Sequence, residues 1–340
     1  MDNSILPLGK LPPMIAESLL KKAPMLDPRI LLGPGVGLDC AILDLGDTCL
    51  VMKSDPITFA TEDIGWYAVQ ICSNDIATTG ALPRWFLTTL LLPEGKTTPD
   101  MVEKIGDQVF AACKEKNISV VGGHTEITYG LDRPILMGTM IGEVAKEKLI
   151  TPKGAEPGNK LLLTKGIPIE GTAIIAKEFP EKVKKLLGEK EQQQAADFIH
   201  SPGISVLKDA QIVIQAGTVT AMHDPTEGGL AAALWEMATA CEHTLVIKQD
   251  QIGIPQLSKK ICEAYDIDPL ATIASGALLM AVKAADSQSI QDALHKENIA
   301  CMEIGFIEEG ESKVFSESIS ARELLTWPQR DEITLLFETL

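Results

Sequence analysis

The chain has 340 residues, of which 30 are lysine or arginine and 47 are aspartate or glutamate, so its formal charge is −17. This charge excludes duplex nucleic acid and anionic membranes as main partners, because both are themselves negatively charged. The length exceeds what one compact core usually holds, and 45% of the residues are hydrophobic, so we expect two folded domains.

The first half of the chain alternates predicted helices and strands. Helical spacing of apolar residues predicts helices over 11–22, 62–79 and 99–115, and short apolar runs predict strands over 49–52, 85–92, 118–121 and 135–144. Proline and glycine concentrate in 151–159, and a new apolar strand begins at Lys160. We therefore place a boundary near residue 153, with domains over 1–153 and 154–340.

The second half continues in the same style. The patterns predict helices over 171–187, 203–216, 227–241 and 286–297, and strands over 161–164, 243–248, 277–283 and 301–307. Residues 181–199 are rich in Lys, Glu and Gln, which is typical of a solvated pair of helices. The predicted fold class is α/β (α+β).

Asp75 lies among apolar residues on the predicted helix 62–79, at a position that otherwise looks buried. A buried carboxylate needs a proton, a cation or a metal. Asp39 and Asp55 stand at the ends of apolar segments, and the three acids together suggest a divalent cation. Mg²⁺ bridging carboxylates to phosphate oxygens would also allow so acidic a chain to accept a triphosphate.

Two glycine-containing segments of the first half could approach a ligand. Gly33-x-Gly35-x-Gly37 looks like a phosphate loop but lacks the Walker ending, so a flexible surface loop stays an open alternative. Gly122-Gly-His124-Thr125-Glu126 follows a short β run. His124 is a candidate for metal or catalytic contact, with Thr125 and Glu126 as equal candidates and a structural histidine as the plain alternative.

The second half carries related patterns. His223-Asp224-Pro-Thr226-Glu-Gly228-Gly229-Leu opens a predicted helix whose free amides would bind an anion, although capping by Asp224 or Thr226 explains the pattern equally well. Lys165-Gly-Ile-Pro-Ile-Glu-Gly-Thr repeats the order of strand, glycine turn and helix. Familiar nucleophile motifs are absent from the sequence, which favours phosphoryl chemistry based on positioning and charge neutralisation.

The seven cysteines form no Cys-x-x-Cys pair and occupy mostly apolar contexts, so we expect reduced, buried thiols. Residues 1–10 lack the charged and apolar regions of a signal peptide, and apolar runs fall short of a membrane span. These features predict a soluble cytoplasmic protein.

Seven segments, in this order, resemble the PurM-like superfamily of aminoimidazole ribonucleotide synthetase, thiamine-monophosphate kinase, selenophosphate synthetase and the hydrogenase maturation protein HypE. The resemblance is greatest to HypE and to HypE-like proteins labelled AIR synthase related. The segments are Gly37-Leu-Asp39-Cys-Ala, Lys53-Ser-Asp55, Ser73-Asn74-Asp75-Ile-Ala, Gly122-Gly-His-Thr125, Lys165-Gly-Ile-Pro-Ile-Glu-Gly-Thr172, Asp224-Pro-Thr-Glu-Gly-Gly-Leu230 and Asp268-Pro-Leu-Ala-Thr-Ile-Ala-Ser-Gly276.

The resemblance implies an N-terminal α/β domain that dimerises through its sheet, ATP and Mg²⁺ bound near the dimer interface, and a C-terminal α/β domain that closes the site. It implies that Asp39, Asp55 and Asp75 bind metal and that Asn74 lies beside the phosphates. With Asp75, Asn74 and His124 taken as catalytic, the residues expected to bind the nucleotide are Gly35, Gly37, Lys53, Thr125, Glu126, Lys165, Asp224, Thr226, Gly228 and Gly229.

Two departures shape the functional prediction. HypE carries a Pro-Arg-x-Cys tail whose thiol holds the carbamoyl group for ATP-dependent dehydration, whereas the last cysteine of this chain is Cys301. His124 replaces the Asp of Gly-Asp-Thr and resembles the Gly-Gly-His of selenophosphate synthetase, whose N-terminal nucleophile is absent because Cys40 is the first cysteine. The missing tail argues against the cyanation reaction, so we expect a homodimeric, Mg²⁺-dependent, ATP-binding enzyme of the HypE-like group that phosphorylates or ATP-activates an unidentified small-molecule or protein-borne acceptor. The alternatives are a kinase of the thiamine-monophosphate kinase type and a non-catalytic nucleotide-binding scaffold.

Overall fold

The computed structural model describes residues 6, 9–57, 62–319 and 321–338, which fold into two compact units. The small unit comprises Met25–Gly33 and Asp39–Leu149, and the large unit comprises Met1–Pro24, Pro34–Leu38 and Ile150–Leu340. The chain passes from the small to the large unit between Leu149 and Ile150, close to the boundary predicted at 153. The predicted limits 1–153 and 154–340 stay a prediction about domains.

Helices and strands follow one another along both units. The helices are α1 (Pro13–Leu20), α2 (Ile64–Thr78), α3 (Pro99–Glu115), α4 (Ile169–Glu178), α5 (Pro180–Leu187), α6 (Glu189–Ala196), α7 (Leu207–Ala216), α8 (Gly229–Cys241), α9 (Gln256–Tyr265), α10 (Ser287–Lys296) and α11 (Thr334–Phe337). The strands are β1 (Ile30–Leu32), β2 (Ala41–Asp44), β3 (Thr48–Ile57), β4 (Leu82–Pro93), β5 (Ser119–Thr128), β6 (Ile135–Ala145), β7 (Lys160–Thr164), β8 (Val219–His223), β9 (Thr244–Lys248), β10 (Leu279–Val282), β11 (Cys301–Glu308), β12 (Lys313–Glu317) and β13 (Arg322–Leu324).

The small unit is built on a six-stranded sheet in the order β1-β2-β3-β6-β4-β5. Only its last pair, β4 with β5, runs parallel among the described strands. Helix α2 packs on this sheet and is buried on nearly every side, while α3 buries only one stripe that includes Ile105, Val109 and Cys113. The spacing of that stripe is the helical one, and Thr98 caps α3 by accepting the Met101 N–H at 3.2 Å.

Glycines on β6 let α2 approach the sheet closely. A Cβ at Gly138 would lie 2.6 Å from the Phe86 ring and 2.8 Å from the Cys72 sulfur, distances that packed atoms do not adopt. Cys72 stands one helical turn before Asp75, so this contact sets the depth at which α2 lies over the sheet.

We expect Gly138→Ala to destabilise the protein, because the added methyl group overpacks the contact between α2 and β6. The expected loss is about 1–3 kcal/mol in the free energy of unfolding, measured by urea titration. Gly122→Ala on β5 is the matched control, since its Cβ would meet only Leu87, at 3.9 Å. Equal stability of the two variants would contradict the close packing of α2.

The large unit is built on a seven-stranded sheet in the order β13-β12-β9-β11-β7-β10-β8. The pairs around β7, β10 and β11 are antiparallel, and β12 pairs with β9 in parallel. Helix α8 contributes Leu230, Leu234 and Met237 to a core with apolar residues of β7, β9 and β10. The buried strands read as continuous apolar runs because both faces are covered.

The predicted α/β class and most predicted elements are confirmed, and α3 begins and ends at the predicted residues. The single helix predicted over 171–187 is wrong: the chain breaks between α4 and α5, because Pro180 lacks an N–H and disfavours helical geometry at Phe179. Strands β1, β2, β8, β12 and β13 and helix α11 were not predicted, since segments of five residues or fewer show little periodicity. Helix α9 was also missed, although it buries Leu257 and Ile261 at helical spacing. None of the helices in the described ranges combines the length and apolar character needed to cross a bilayer.

Candidate functional site

Three carboxylates of the small unit surround one ammonium group. Lys53 Nζ lies 3.4 Å from Asp75 Oδ1, 3.6 Å from Asp39 Oδ1 and 3.9 Å from Asp55 Oδ1. Lys53 and Asp55 are two residues apart on β3 and therefore share one face of the sheet, while Asp75 reaches the same point from α2. The structure thus brings together the three acids that the sequence singled out.

Hydrogen bonds fix the elements that carry these acids. Asp75 is 2% exposed, and its backbone carbonyl accepts the Cys40 thiol at 3.3 Å and the Thr78 hydroxyl at 2.7 Å. Because Cys40 follows Asp39, its hydrogen bond ties the Asp39 segment to α2. Asn74 is fully buried beside Asp75 on the same helix.

The cluster contains four ionisable groups although it is partly buried. Burial acts to lower the pKa of Lys53, but the charges of Asp75, Asp39 and Asp55 outweigh it and hold that pKa well above the usual value. Three carboxylates thus face a single ammonium at this cluster, so acidic groups outnumber basic ones there. A group of carboxylate oxygens suits a hard divalent cation such as Mg²⁺. In proteins, Mg²⁺ commonly binds through one or two carboxylates together with phosphate oxygens.

His124, Thr125 and Glu126 occupy a different part of the small unit. They lie on β5, at the sheet edge, and His124 Nε2 is 3.5 Å from Glu126 Oε2 with 68% of the His124 side chain exposed. Across the sheet, His124 stands opposite Thr89, which stands opposite Met137, which stands opposite Pro56. Three strand spacings, roughly 14 Å, therefore separate His124 from the strand position next to Asp55 within one chain.

In the large unit, Gly37 and the segment before α8 meet at Glu236. Gly37 has φ +73°, and a Cβ there would lie 2.8 Å from the Glu236 backbone oxygen, so only glycine allows this approach. The Glu236 carboxylate is 2.7 Å from His223 Nε2 and 3.8 Å from Lys10 Nζ. Lys10 also donates to the Thr226 hydroxyl at 3.2 Å, which places a cation beside one predicted nucleotide-binding residue.

The paired glycines before α8 have a structural explanation. Gly228 and Gly229 both have positive φ, and a Cβ at Gly229 would lie 2.4 Å from the Leu270 oxygen. The Gly228 N–H, which the sequence offered as an anion donor, already donates to Asp331 Oδ2 at 2.7 Å. Asp224 is 1% exposed.

Lys165 also has protein partners. Its ammonium donates to the Ser205 carbonyl at 2.6 Å and lies 3.2 Å from Asp209 Oδ1, with only 7% of the side chain exposed. Burial lowers the pKa of Lys165, and Asp209 opposes that shift. Whether Lys165 also contacts nucleotide stays a prediction.

Lys10, Glu236 and Asp331 take part in these networks, and Glu170 of α4 is a buried carboxyl group affected by the charge of Asp331. None of the four was chosen from the sequence. Glu170 could have been found, because it lies in the Lys165–Thr172 segment among apolar residues. Lys10, Glu236 and Asp331 belong to no recognisable sequence motif, because each contacts its partners only after distant segments of the chain fold together.

All seven cysteines are buried thiols that form no disulfide, as expected. Burial raises the pKa of the Cys113 thiol to about 11, and burial together with the charge of Asp209 raises that of Cys301 to about 12. We therefore expect less than one thiol per folded chain to react with a thiol-specific reagent such as Ellman's, and all seven to react in denaturant. Rapid labelling of a folded chain would contradict this burial.

Comparison with known proteins identifies both halves of the chain. Residues 37–144 match the N-terminal domain of AIR synthase related proteins, and residues 156–316 match their C-terminal domain. A protein of Methanocaldococcus jannaschii named for hydrogenase expression/formation is 30% identical over 314 residues, covering 88% of this chain and 89% of that protein.

Two further relatives agree with this match. Carbamoyl dehydratase HypE of Cupriavidus necator is 29% identical over 258 residues, covering 72% of this chain and 68% of that protein. A crystal structure of hydrogenase maturation protein HypE in complex with ATP superposes with a TM-score of 0.70 at 22% identity, covering 92% of this chain and 91% of that one. The predicted resemblance and two-domain fold are confirmed, and the expectation of an enzyme is confirmed at the level of the family.

Proposed function

Because the chain belongs to the AIR synthase related family, we propose that it is a HypE-like, ATP-dependent enzyme that phosphorylates or otherwise activates an acceptor with the help of Mg²⁺. The observation that carries this proposal is the convergence of Asp39, Asp55 and Asp75 on Lys53. Three carboxylates that come from separate parts of the chain and face one ammonium form a ligand set for a cation that accompanies polyphosphate. The ATP complex of a HypE structure with the same fold supports the choice of nucleotide.

In the proposed mechanism, Asp39, Asp55 and Asp75 would hold Mg²⁺, and the ion would supply charge neutralisation for the phosphate oxygens. Lys53 holds the three carboxylates together through ion pairs, and its ammonium would be a point-charge donor for a phosphate oxygen bound beside them. Asn74, next to Asp75 on α2, is the proposed neutral donor beside the phosphates. Asn74 and Asp75 lie on α2, which is buried and holds both side chains in place before the nucleotide binds, so little reorganisation is needed.

The acceptor is proposed to be a separate molecule rather than one of the seven thiols of this sequence. The HypE relative is named a carbamoyl dehydratase. Each cysteine of this chain is buried, with Cys72 additionally close to the charges of Asp75 and Asp55, which raise its pKa further. A thiolate forms poorly in such surroundings, so chemistry on these sulfurs is disfavoured.

A homodimer is part of the proposal. Strand β5 ends the small-unit sheet, and nine of its ten residues are exposed. A long exposed edge strand is a surface that proteins normally cover or pair. A second copy pairing there agrees with the sheet-mediated dimer that the family resemblance implies.

The test is ADP formation by the purified protein with ATP and Mg²⁺, screened against fractions of a small-molecule pool and against candidate acceptor proteins. We expect one fraction to stimulate ADP release and to gain phosphate or lose water. Stimulation by thiamine monophosphate would instead support the kinase alternative. ATP binding in calorimetry without ADP release for any acceptor would support the non-catalytic scaffold.

A further inference from the structure

The 325–338 segment folds back on the large unit and covers the start of α8. The Trp235 indole N–H donates to the Leu325 carbonyl at 3.0 Å, and the Trp235 and Trp327 rings lie 6.2 Å apart. Ile333 and Thr334 are almost fully buried. Farther along, the Phe337 and Phe179 rings lie 5.8 Å apart.

The central anchor of this segment is a carboxylate. Asp331 is 5% exposed, its Oδ2 accepts the Gly228 N–H at 2.7 Å, and its Oδ1 accepts the Ile333 N–H at 2.9 Å. The Ile273 backbone also hydrogen-bonds this carboxylate. Asp331 thus occupies the position that an external anion would take at the start of α8.

A second buried carboxyl group is affected by the charge of Asp331. Glu170 on α4 is 5% exposed and hydrogen-bonds Ser275, and among the described residues its Oε2 has no hydrogen-bond partner. Asp331 and Glu227 are among the charged groups that act on Glu170, and Glu227 also acts on Asp331. Arg330, the cation nearest in sequence, is paired with Glu338 at 2.7 Å. Glu170, Glu227 and Asp331 therefore lie close enough for their charges to interact, and backbone amides hydrogen-bond the Asp331 carboxylate.

We propose that the 325–338 segment is a pH-sensitive clasp that closes over the start of α8 when the Glu170 and Asp331 carboxyl pair carries a proton, and that loosens when both groups are ionised. Opening would release the Gly228 amide to an anion such as phosphate. The clasp depends on contacts within the large unit alone. Its pH dependence can therefore be tested separately from the proposed enzyme activity.

The direction of the pH dependence follows from the buried pair. Burial raises the pKa of Glu170 from 4.5 to about 7 and that of Asp331 from 3.8 to about 6, with the neighbouring acids adding to both shifts. The closed clasp therefore binds protons more tightly than the open one. Closure is favoured at low pH, weakens as pH rises above the ordinary values, and is fully weakened once pH exceeds the raised pKa of Glu170.

Hydrogen exchange of peptides covering 325–338 tests this clasp, with rates corrected for intrinsic pH dependence. For one proton on Glu170, we expect protection to fall about thirtyfold between about pH 5.5 and about pH 8. Glu170→Gln mimics the protonated group, so its peptides should stay protected at both pH values. Glu332→Gln removes an equal charge from the same segment and should keep the wild-type pH dependence.

A pH-independent wild type, or a Glu170→Gln protein with the wild-type pH dependence, would overturn the clasp. Because the variant could fold poorly, carbon-13 carboxyl titration of the unsubstituted protein provides a second measurement. A Glu170 midpoint of about 7 supports the proposal. A midpoint at the ordinary value of 4.5 refutes it.

Discussion

Replacing Asp75 by asparagine is expected to abolish Mg²⁺-dependent ATP turnover while leaving the protein folded. The substitution keeps the shape of the side chain but removes the most buried negative charge of the cluster, 3.4 Å from Lys53. The remaining Asp39 and Asp55 still pair with Lys53, so the fold keeps its ion pairs, whereas charge stabilisation of a bound cation falls. Metal charge supplies several kcal/mol to such reactions, so we expect a loss of at least about a hundredfold in kcat.

The assay is acceptor-stimulated ADP release over a range of Mg²⁺ concentrations. Asp107→Asn makes the same chemical change at an exposed position of α3 and should leave turnover unaltered. Circular dichroism shows whether each variant is folded. A folded Asp75→Asn protein with wild-type turnover would remove these carboxylates from the mechanism.

The acidic cluster could be predicted from the sequence because each of its members carries a local signal. Asp75 interrupts an apolar helical stripe, and Asp39 and Asp55 end apolar segments, so each stands out before folding is considered. The role of Lys53 as their shared counter-ion could not be predicted, since it depends on β3 and α2 packing face to face. Local periodicity identifies an unusual residue but not its partners.

The Gly228-Gly229 pair illustrates the opposite case. Its pattern is equally typical of an anion site and of a tight turn, and tertiary packing decides between them. The close approach of Gly229 to Leu270 and the capping of Gly228 by Asp331 involve residues 41 and 103 positions away in the sequence respectively. Such long-range contacts leave no periodic trace, which is also why Asp331 was missed.

A charge placed on β5 is expected to dissociate the proposed homodimer. Ile127 is 59% exposed on this edge strand, and Val121 of the same strand and Tyr129 just after it are also exposed. Burying these groups against a second copy would remove apolar surface from water and pair the free strand edge. Ile127→Lys would force an ammonium into that interface, where its desolvation is costly.

We expect Ile127→Lys to weaken dimerisation by at least about a hundredfold, since an uncompensated buried charge costs several kcal/mol. Sedimentation velocity over a dilution series measures the dissociation constant. Leu324→Lys on β13 is the matched control, because Leu324 is 55% exposed on an edge strand of the other sheet and should not affect association. A monomeric wild type, or an Ile127→Lys dimer as stable as the wild type, would show that β5 is not the pairing edge. Loss of the dimer with ATP turnover retained would separate assembly from catalysis, because Asp39, Asp55, Asp75 and Lys53 already meet within one chain.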